Sequence, residues 1–254
     1  MNIKDKKIAM FDLDGTLTAS KSPLGQEMAS LLSALMRKIK VAVISGGGYP
    51  QFQSQFLAKF SNINEYASNL LLLPTSGTKL YTWKGDWHEE YSEVLSKEEK
   101  EKIISSLNQV LKQTNYETPE KIYGPVIEDR GSQITFSALG QNAPVDIKIA
   151  WDPDRKKREQ IAELIKEKIP EFDVRVGGST SVDITRRGVN KGYGIRRLEE
   201  YLKINADDMV FVGDALFYGG NDYPAKATGV DCISVVGPEE TTQLINNWIK
   251  ELNS

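Results

Sequence analysis

The sequence predicts an α/β protein: a doubly wound, Rossmann-like parallel sheet with an inserted α+β domain. Three observations predict this fold. Short apolar runs at residues 8–11, 41–44 and 70–73 alternate with stretches of helical periodicity, which is typical of a parallel α/β sheet. Between about residues 80 and 186, apolar and polar residues alternate as in a sheet with one exposed face. After residue 190 the strand–helix rhythm returns, so the middle segment interrupts one domain.

In the interrupted domain, the apolar runs stop at glycine or polar residues, and the helical stretches repeat apolar residues every three or four positions. The stretch from Met28 to Ile39 shows this periodicity, and Ser45 with three following glycines ends the second strand. The predicted elements are strands at 8–11, 41–44, 70–73, 209–212 and 232–236, and helices at 28–39, 49–60, 192–202, near 222–228, and 239–252.

The inserted domain is placed at residues 83–186, which leaves 1–82 and 187–254 for the core. Strand-like alternation surrounds a turn at residues 84–86. Ser96 and Glu99 form the capping-box pattern that starts a charged helix. Further strands are predicted at 134–137, 145–149 and 181–184, and a second charged helix at 154–168.

Composition excludes several classes of function. The 254 residues include 32 basic and 35 acidic side chains, a net charge of −3, which argues against nucleic-acid binding through bulk positive charge. One cysteine, Cys232, excludes a disulfide within the chain and a cysteine zinc cluster, and one histidine, His88, excludes a multi-histidine metal site. No apolar run reaches the roughly 18 residues of a membrane span, and the N-terminal segment lacks the apolar stretch of a signal peptide. We therefore expect a soluble cytoplasmic protein.

Two acids follow the first predicted strand directly. Asp12 and Asp14 lie two residues apart at a strand end, so both carboxylates can face one crevice beyond the sheet. Taken alone, the same residues are as well explained by an Asp-Gly turn with solvated acids.

Three other segments favour the functional interpretation. Residues 45–48 (SGGG), 190–192 (NKG) and 213–222 (GDALFYGGND) each follow a core strand or begin a helix. Together they add carboxylates, a hydroxyl with backbone N–H groups, and a lysine, which is the set needed to hold Mg²⁺ and a phosphoryl group. Alone, Ser45 would be a helix cap and Lys191 a surface lysine.

These motifs resemble those of a known family. Residues 12–16 (DLDGT) match the DxDGT signature of the haloacid dehalogenase (HAD) superfamily, and the later segments supply its other motifs in order. The chain is most similar to the eukaryotic-type phosphomannomutases, which have cap type IIB. The similarity covers residues 11–21 (FDLDGTLTASK), the ten-residue segment 213–222, and residues 177–185 (GGSTSVDIT) in the cap.

The resemblance implies aspartyl-phosphate chemistry in the core. Asp12 would attack phosphorus and bind Mg²⁺, and Asp14 would exchange the proton with the leaving and accepting oxygens while its backbone carbonyl binds the metal. Ser45 and the Gly46 N–H would bind phosphate oxygens, and Lys191 would offset negative charge at the nucleophile. Further metal ligands, direct or in the next shell, would be Asp214, Asn221 and Asp222.

The cap keeps only part of the family pattern. Arg130 matches the first arginine that clamps a distal phosphate, whereas Gln141 replaces the second and Lys148 lies near the third. Glutamine and lysine lack the bidentate fork of arginine. Ser181 and Asp183 are candidate sugar or phosphate contacts, and Lys21 is a candidate cation at the rim. Arg186 and Arg187 are either replacement cations or solvated hinge residues.

The resemblance thus implies a Mg²⁺-dependent phosphomannomutase-like enzyme that interconverts mannose 6-phosphate and mannose 1-phosphate through an aspartyl-phosphate. Its partners would be a phosphorylated hexose and a hexose bisphosphate activator, with no nucleic acid and no membrane; a homodimer stays open. The alternative is a sugar-phosphate phosphatase of the same superfamily, in which water takes the phosphoryl group. A non-catalytic phosphosugar-binding protein is less favoured, because only chemistry requires Asp12, Asp14, Lys191 and Asp214 together.

Overall fold

The computed structural model describes residues 2–19, 22–114 and 116–254. They divide into two compact units. The core unit contains the chain up to Ser92 together with Val189–Ser254, and the cap unit is Glu93–Gly188. Each unit has its own sheet and its own hydrophobic interior.

The strands are β1 (Ile8–Asp12), β2 (Lys40–Ile44), β3 (Leu70–Leu73), β4 (Lys79–Trp83), β5 (Trp87–Ser92), β6 (Ile127–Asp129), β7 (Gln133–Ser137), β8 (Phe172–Gly177), β9 (Ser181–Arg186), β10 (Met209–Gly213) and β11 (Asp231–Ser234). The helices are α1 (Gln26–Met36), α2 (Tyr49–Gln51), α3 (Lys97–Gln113), α4 (Val145–Trp151), α5 (Lys156–Lys168), α6 (Lys191–Leu202) and α7 (Pro238–Asn253). A π-helical turn, Phe52–Phe56, continues α2, and a 3₁₀ helix, Tyr223–Thr228, precedes β11.

The sheet of the core unit has the strand order β11-β10-β1-β2-β3-β4-β5 within the described residues. The first five strands in this order are parallel, and β4 and β5 add an antiparallel hairpin at one edge. All five parallel strands therefore end at the same edge of the sheet, where ligands bind in open α/β folds.

Alternate residues of each core strand pack on opposite faces of this sheet. Ala9 and Phe11 belong to the cluster that includes residues of α1 and α7. Ile8 and Met10 belong to the cluster that includes residues of α6. The doubly wound α/β class predicted from the sequence is thus confirmed. By the same alternation, Asp12 lies on the α6 side of the sheet.

The cap unit has an antiparallel sheet in the order β6-β7-β9-β8. Apolar residues of β7 and β9, among them Phe136 and Ile184, pack with residues of α3 and α5. The alternate residues of these strands are polar, and Thr135 pairs in register with Asp183. The cap sheet therefore has one apolar face and one polar face.

Three details differ from the sequence predictions. The boundary moves from residue 82 to Ser92, because β5 pairs with β4 in the core sheet, and strand alternation alone does not reveal which sheet a hairpin joins. The strand predicted at 145–149 is instead helix α4; Pro144 starts it, and Lys148 Nζ donates to the Gln141 carbonyl at 2.6 Å. The helix predicted at 49–60 is broken into α, π and 3₁₀ turns.

Among the described helices, none combines the length and the apolar character needed to cross a membrane.

Candidate active site

Asp12 and Lys191 form a buried ion pair at the carboxyl edge of the core sheet. Asp12 is the last residue of β1, and Lys191 is the first residue of α6, whose N-cap is Asn190. Lys191 Nζ lies 2.6 Å from Asp12 Oδ1 and also binds Asp222 Oδ1. The three side chains are almost fully buried, so water screens these charges little.

Asp214 and Asp222 complete the acidic cluster. Thr16 Oγ1 donates to Asp214 Oδ1 at 3.2 Å and accepts from the Asp214 N–H at 3.1 Å, which ties the loop after β1 to the loop after β10. Asp222 Oδ2 accepts from the Ala215 N–H at 2.9 Å. A Cβ on Gly15 would come within 2.5 Å of the Asp214 carboxylate, and Gly15 has a φ of +89°, so this position requires glycine.

The cluster fits a divalent metal ion. Carboxylate oxygens of Asp12, Asp214 and Asp222 lie within 4.8 Å of one another. Asp12 Oδ2 is buried and has no hydrogen-bond partner among the residues that the structure describes. Three carboxylates against the single ammonium of Lys191 leave an excess of two negative charges in this group. Hard oxygen donors with this charge suit Mg²⁺.

The pKa values of Asp12 and Lys191 both respond to the excess of negative charge in this cluster. Burial raises the pKa of the Asp12 carboxyl well above its ordinary value; Lys191 opposes this rise, and Asp222 and Asp214 add to it. Burial lowers the pKa of the Lys191 ammonium, but the carboxylates of Asp12 and Asp222 outweigh it and raise that pKa overall. Lys191 is therefore a cation, and a second positive charge at the cluster would favour the ionised form of Asp12.

The loop after β2 lies at the same edge of the sheet as the acidic cluster and contributes backbone N–H groups there. Ser45 is buried, and its Oγ accepts from the Gly47 N–H at 3.0 Å. The loop is fixed to the residues after β3, because Thr75 N donates to the Gly47 carbonyl at 2.9 Å and Ser76 N donates to the Ser45 carbonyl at 2.8 Å.

Three consecutive residues after β3 have left-handed backbones, Thr75 (φ 49°), Ser76 (φ 57°) and Gly77 (φ 84°). We call residues 75–77 the left-handed turn. A Cβ on Gly77 would overlap the Gly194 Cα of α6, so the turn and the start of α6 are in backbone contact. This turn thereby links the Ser45 loop to the helix that presents Lys191. No sequence motif indicated it.

Asp14 is held by two glutamines that sequence reasoning missed. Gln51 Nε2 donates to Asp14 Oδ2 at 3.1 Å, and Gln55 Nε2 donates to Asp14 Oδ1 at 3.0 Å. The signal available in the sequence was their four-residue spacing directly after the glycine loop, which places two amides on one side of a helical turn.

The cap candidates are engaged within the cap unit. Arg130 binds Glu128 Oε2 through Nε at 3.0 Å and through Nη2 at 2.8 Å. Thr135 Oγ1 donates to Asp183 Oδ1 at 2.8 Å, and Ser181 is buried. Gln141 Nε2 is buried without a hydrogen-bond partner in the described part of the chain.

The proposed replacement cations also have partners. Arg186 binds both carboxylate oxygens of Glu99, and Arg187 donates to the Pro170 carbonyl at 2.7 Å. Lys148 binds the Gln141 carbonyl, as described above. Of the remaining candidates, Gly46 is half-buried in the Ser45 loop and Asn221 is exposed beside Asp222. Lys21 lies outside the described residues.

Comparison with known sequences finds phosphomannomutases among the relatives of this chain. The chain is 29% identical to the phosphomannomutase of Spinacia oleracea over 250 residues, which cover 95% of each chain. It is 26% identical to the phosphomannomutase of Encephalitozoon cuniculi, with 98% of this chain and 95% of the relative covered.

Solved structures share the fold at lower identity. An IMP-bound variant of the IMP-nucleotidase of Plasmodium falciparum superposes with a TM-score of 0.72 at 16% identity, over 99% of this chain and 68% of the other. A haloacid dehalogenase-like hydrolase of Bacteroides thetaiotaomicron gives a TM-score of 0.61 at 14% identity, over 95% of this chain and 99% of the other.

A sequence model of one family spans most of the chain. The model of haloacid dehalogenase-like hydrolases matches residues 9–224, a range that includes Asp12, Lys191 and Asp222. The chain is therefore an enzyme of the phosphotransferase or phosphatase type and belongs to the haloacid dehalogenase-like hydrolase family.

Proposed function

We propose that this enzyme transfers the phosphoryl group of a hexose phosphate to Asp12, with Mg²⁺ bound, as a phosphomannomutase-like phosphotransferase. The observation that supports this most is Asp12 itself: one carboxylate oxygen is bound by Lys191, and the other is buried without a partner in the described residues. A carboxylate held in this way is suited to act as a nucleophile, because the ion pair with Lys191 fixes its orientation.

Each residue of the site has a separate role in the proposed phosphoryl transfer. An Asp12 oxygen forms a bond to phosphorus while the bond from phosphorus to the sugar oxygen breaks. Lys191, Ser45 and the Gly46 N–H stabilise the phosphoryl oxygens. Asp14 gives a proton to the departing sugar oxygen and takes one from the oxygen that later attacks the aspartyl-phosphate. Asp12, Asp214, Asp222 and the Asp14 carbonyl would hold Mg²⁺, which when bound offsets charge on the phosphoryl oxygens.

The relatives favour a sugar hydroxyl as the final acceptor. The proteins at 26–29% identity described above are phosphomannomutases, and the similarity extends through the cap unit. In this reaction the phosphoryl group returns to a different oxygen of the sugar, which interconverts mannose 6-phosphate and mannose 1-phosphate. Arg130, Gln141, Ser181 and Asp183 would then bind the part of the sugar phosphate that is not reacting.

A second candidate is a sugar-phosphate phosphatase, and one observation favours it. Glu128 occupies the Arg130 fork through two hydrogen bonds, and Gln141 contributes no charge. The cap therefore offers a distal phosphate a neutralised arginine, whereas a mutase must hold that phosphate while the intermediate reorients. With water as the acceptor, the products would be free phosphate and a sugar.

One experiment separates these outcomes. The protein is incubated with mannose 1-phosphate, a hexose bisphosphate and Mg²⁺, and both hexose 6-phosphate and free phosphate are measured. Isomerised product supports the mutase, and free phosphate alone supports the phosphatase. Asp12→Asn should abolish either activity while circular dichroism shows an intact fold, because an amide is a poor nucleophile. Turnover by Asp12→Asn at the wild-type rate would refute the aspartyl-phosphate mechanism.

Arg130→Ala provides the matching prediction for the cap. If Arg130 leaves Glu128 to hold a distal phosphate, the substitution should raise KM for the hexose bisphosphate, whose second phosphate is the distal one, by roughly tenfold or more, since a charge-assisted hydrogen bond contributes about 1.5–3 kcal/mol. KM for a small aryl phosphate should not change. Arg155→Ala is the control, because Arg155 is an exposed arginine of the cap unit and lies 3.8 Å from Glu159. If wild type and Arg130→Ala have equal KM values with both substrates, Arg130 does not bind the substrate.

A further inference from the structure

Each oxygen of the Asp14 carboxylate accepts a hydrogen bond from a different glutamine. Gln51 binds Oδ2 and Gln55 binds Oδ1, at 3.1 and 3.0 Å. Rotation of the carboxylate about its Cβ–Cγ bond would break both contacts at once. We refer to Gln51 and Gln55 as the amide pair.

Further hydrogen bonds fix the two side chains of the amide pair. Gln51 Nε2 also donates to Gln55 Oε1 at 2.7 Å. Gln55 is buried, and its Nε2 also donates to Thr18 Oγ1 at 3.2 Å. The Thr18 hydroxyl in turn donates to the Leu13 carbonyl at 3.3 Å, in the loop that contains Asp14. The two amides are therefore fixed to each other and to the loop whose acid they bind.

The backbone places the pair at this point. The π-helical turn Phe52–Phe56 follows Gln51, and its two phenylalanines are fully buried in the core. Single π-turns of this kind occur frequently at functional sites. A Cβ on Gly47 would overlap Gln51 Oε1, so the glycine of the neighbouring loop leaves the space that the Gln51 amide occupies.

We infer that Gln51 and Gln55 are positioning residues for proton transfer by Asp14. They act through Asp14 and bind neither substrate nor metal. By fixing the plane of the carboxylate, they determine which oxygen meets the leaving group and at what angle, a geometry on which general acid–base catalysis depends. The inference rests on the proposed function, since it assumes that Asp14 is the acid–base residue.

Leaving-group dependence tests this role. Gln51→Met keeps the length of the side chain and removes the amide, and Gln53→Met is the matched control because Gln53 is exposed on the same turn. With mannose 1-phosphate, whose leaving oxygen needs a proton, Gln51→Met should lower kcat/KM by about tenfold or more, part of the 10²–10⁴-fold that acid–base catalysis contributes. With 4-nitrophenyl phosphate, whose leaving group needs no proton, kcat/KM should change less than twofold. This quantity is compared because it reports the transfer to Asp12 and not the later attack on the aspartyl-phosphate, which uses Asp14 as a base with either ester.

Different outcomes would overturn the positioning role of the amide pair and the proposed function of the enzyme. Equal losses on both esters, or no loss on either, would overturn the positioning role. In the expected result, the activity that Gln51→Met retains on the aryl phosphate also shows that this variant is folded. An Asp12→Asn variant as active as the wild type would instead overturn the proposed function.

A readout without turnover tests the contact itself. In the side-chain amide NMR signals, Asp14→Ala should shift Gln51 and Gln55 and leave Gln53 in place. Unmoved signals of Gln51 and Gln55 would show that the amide pair does not bind Asp14 in solution, which also overturns the inference.

Discussion

Lys191 is shared between two buried carboxylates, and its charge is what allows them to be buried together. It binds Asp12 and Asp222 on the α6 side of the sheet, where both side chains are nearly inaccessible. Removing one partner of a buried ion pair strongly destabilises the folded state, because the other charge remains buried without compensation.

Lys191→Met should therefore destabilise the core unit as well as inactivate the enzyme. We expect a loss of about 3 kcal/mol in the free energy of unfolding, measured by urea denaturation, because two buried acids lose their common cation. Lys7→Met is the control: Lys7 pairs with Asp208, is 63% exposed, and should contribute less than about 1 kcal/mol. A Lys191→Met protein as stable as the wild type would contradict this account of the cluster.

At the scale of residues, the sequence indicates the acids better than their supports. Asp12, Asp214 and Asp222 follow strands that end at one sheet edge, so their approach within 4.8 Å could be expected. Gln51 and Gln55 have the composition of an ordinary helical turn, and only the tertiary structure brings them to Asp14. The partner of Arg130 is two residues away, but a sequence does not show whether an arginine turns towards its own strand or towards a ligand.

At the scale of elements, helix α3 begins at a point where several interactions meet. Ser96 and Glu99 form the capping box that the sequence predicts, and Glu99 also binds Arg186 of β9. The Arg186 hydrogen bond lowers the pKa of Glu99 to about 2, against a burial effect that raises it, and the Ser96 N–H assists. The start of α3 is thereby joined to the cap sheet.

This depressed pKa implies a defined pH dependence. Since Glu99 titrates near 4.5 when unperturbed and near 2 in the fold, its contribution to stability is present above pH 4.5 and is lost as the pH falls towards 2. Glu99→Gln should reduce the difference in the free energy of unfolding between pH 6 and pH 3, measured by urea denaturation, by less than about 1 kcal/mol, because Arg186 is 42% exposed. Glu101→Gln on the same helix should leave that difference unchanged, and an equal effect of both variants would contradict the prediction.

The elements that the sequence misassigned share one cause. Residues 145–149 alternate like a strand, but the chain forms α4 there, because Pro144 begins a helix and Lys148 reaches back to the Gln141 carbonyl. In the same way, β5 has the alternation of a cap strand and pairs with β4. Local pattern gives the type of a long apolar strand reliably, whereas short amphipathic segments follow their tertiary contacts.

At the scale of the whole molecule, a metal ion bound at the buried acidic cluster would link stability to metal concentration. A ligand that binds only the folded state stabilises it by about 2.7 kcal/mol when present at 100 times its Kd. Mg²⁺ should accordingly raise the thermal midpoint of the core unit, and a chelator should lower the midpoint and stop turnover. Asp214→Asn should weaken the response and Asp207→Asn, an exposed acid, should not. A midpoint independent of Mg²⁺ together with full activity in chelator would refute the metal site.

The left-handed turn after β3 places a limit on how stable this protein is. Thr75 and Ser76 each have a positive φ, a conformation that costs a residue with a side chain about 1–2 kcal/mol. Ser76→Gly should relieve part of that strain. We expect a higher urea midpoint, equivalent to a gain of a few tenths to about 1 kcal/mol in the free energy of unfolding, after the greater flexibility of glycine in the unfolded chain is counted. A lower midpoint would show that Ser76 is not strained. The left-handed turn thus holds the Ser45 loop and α6 in place at the carboxyl edge of the sheet, at the expense of folding free energy. If this edge carries the activity, the most thermostable form of this chain and its most active form are expected to be different sequences.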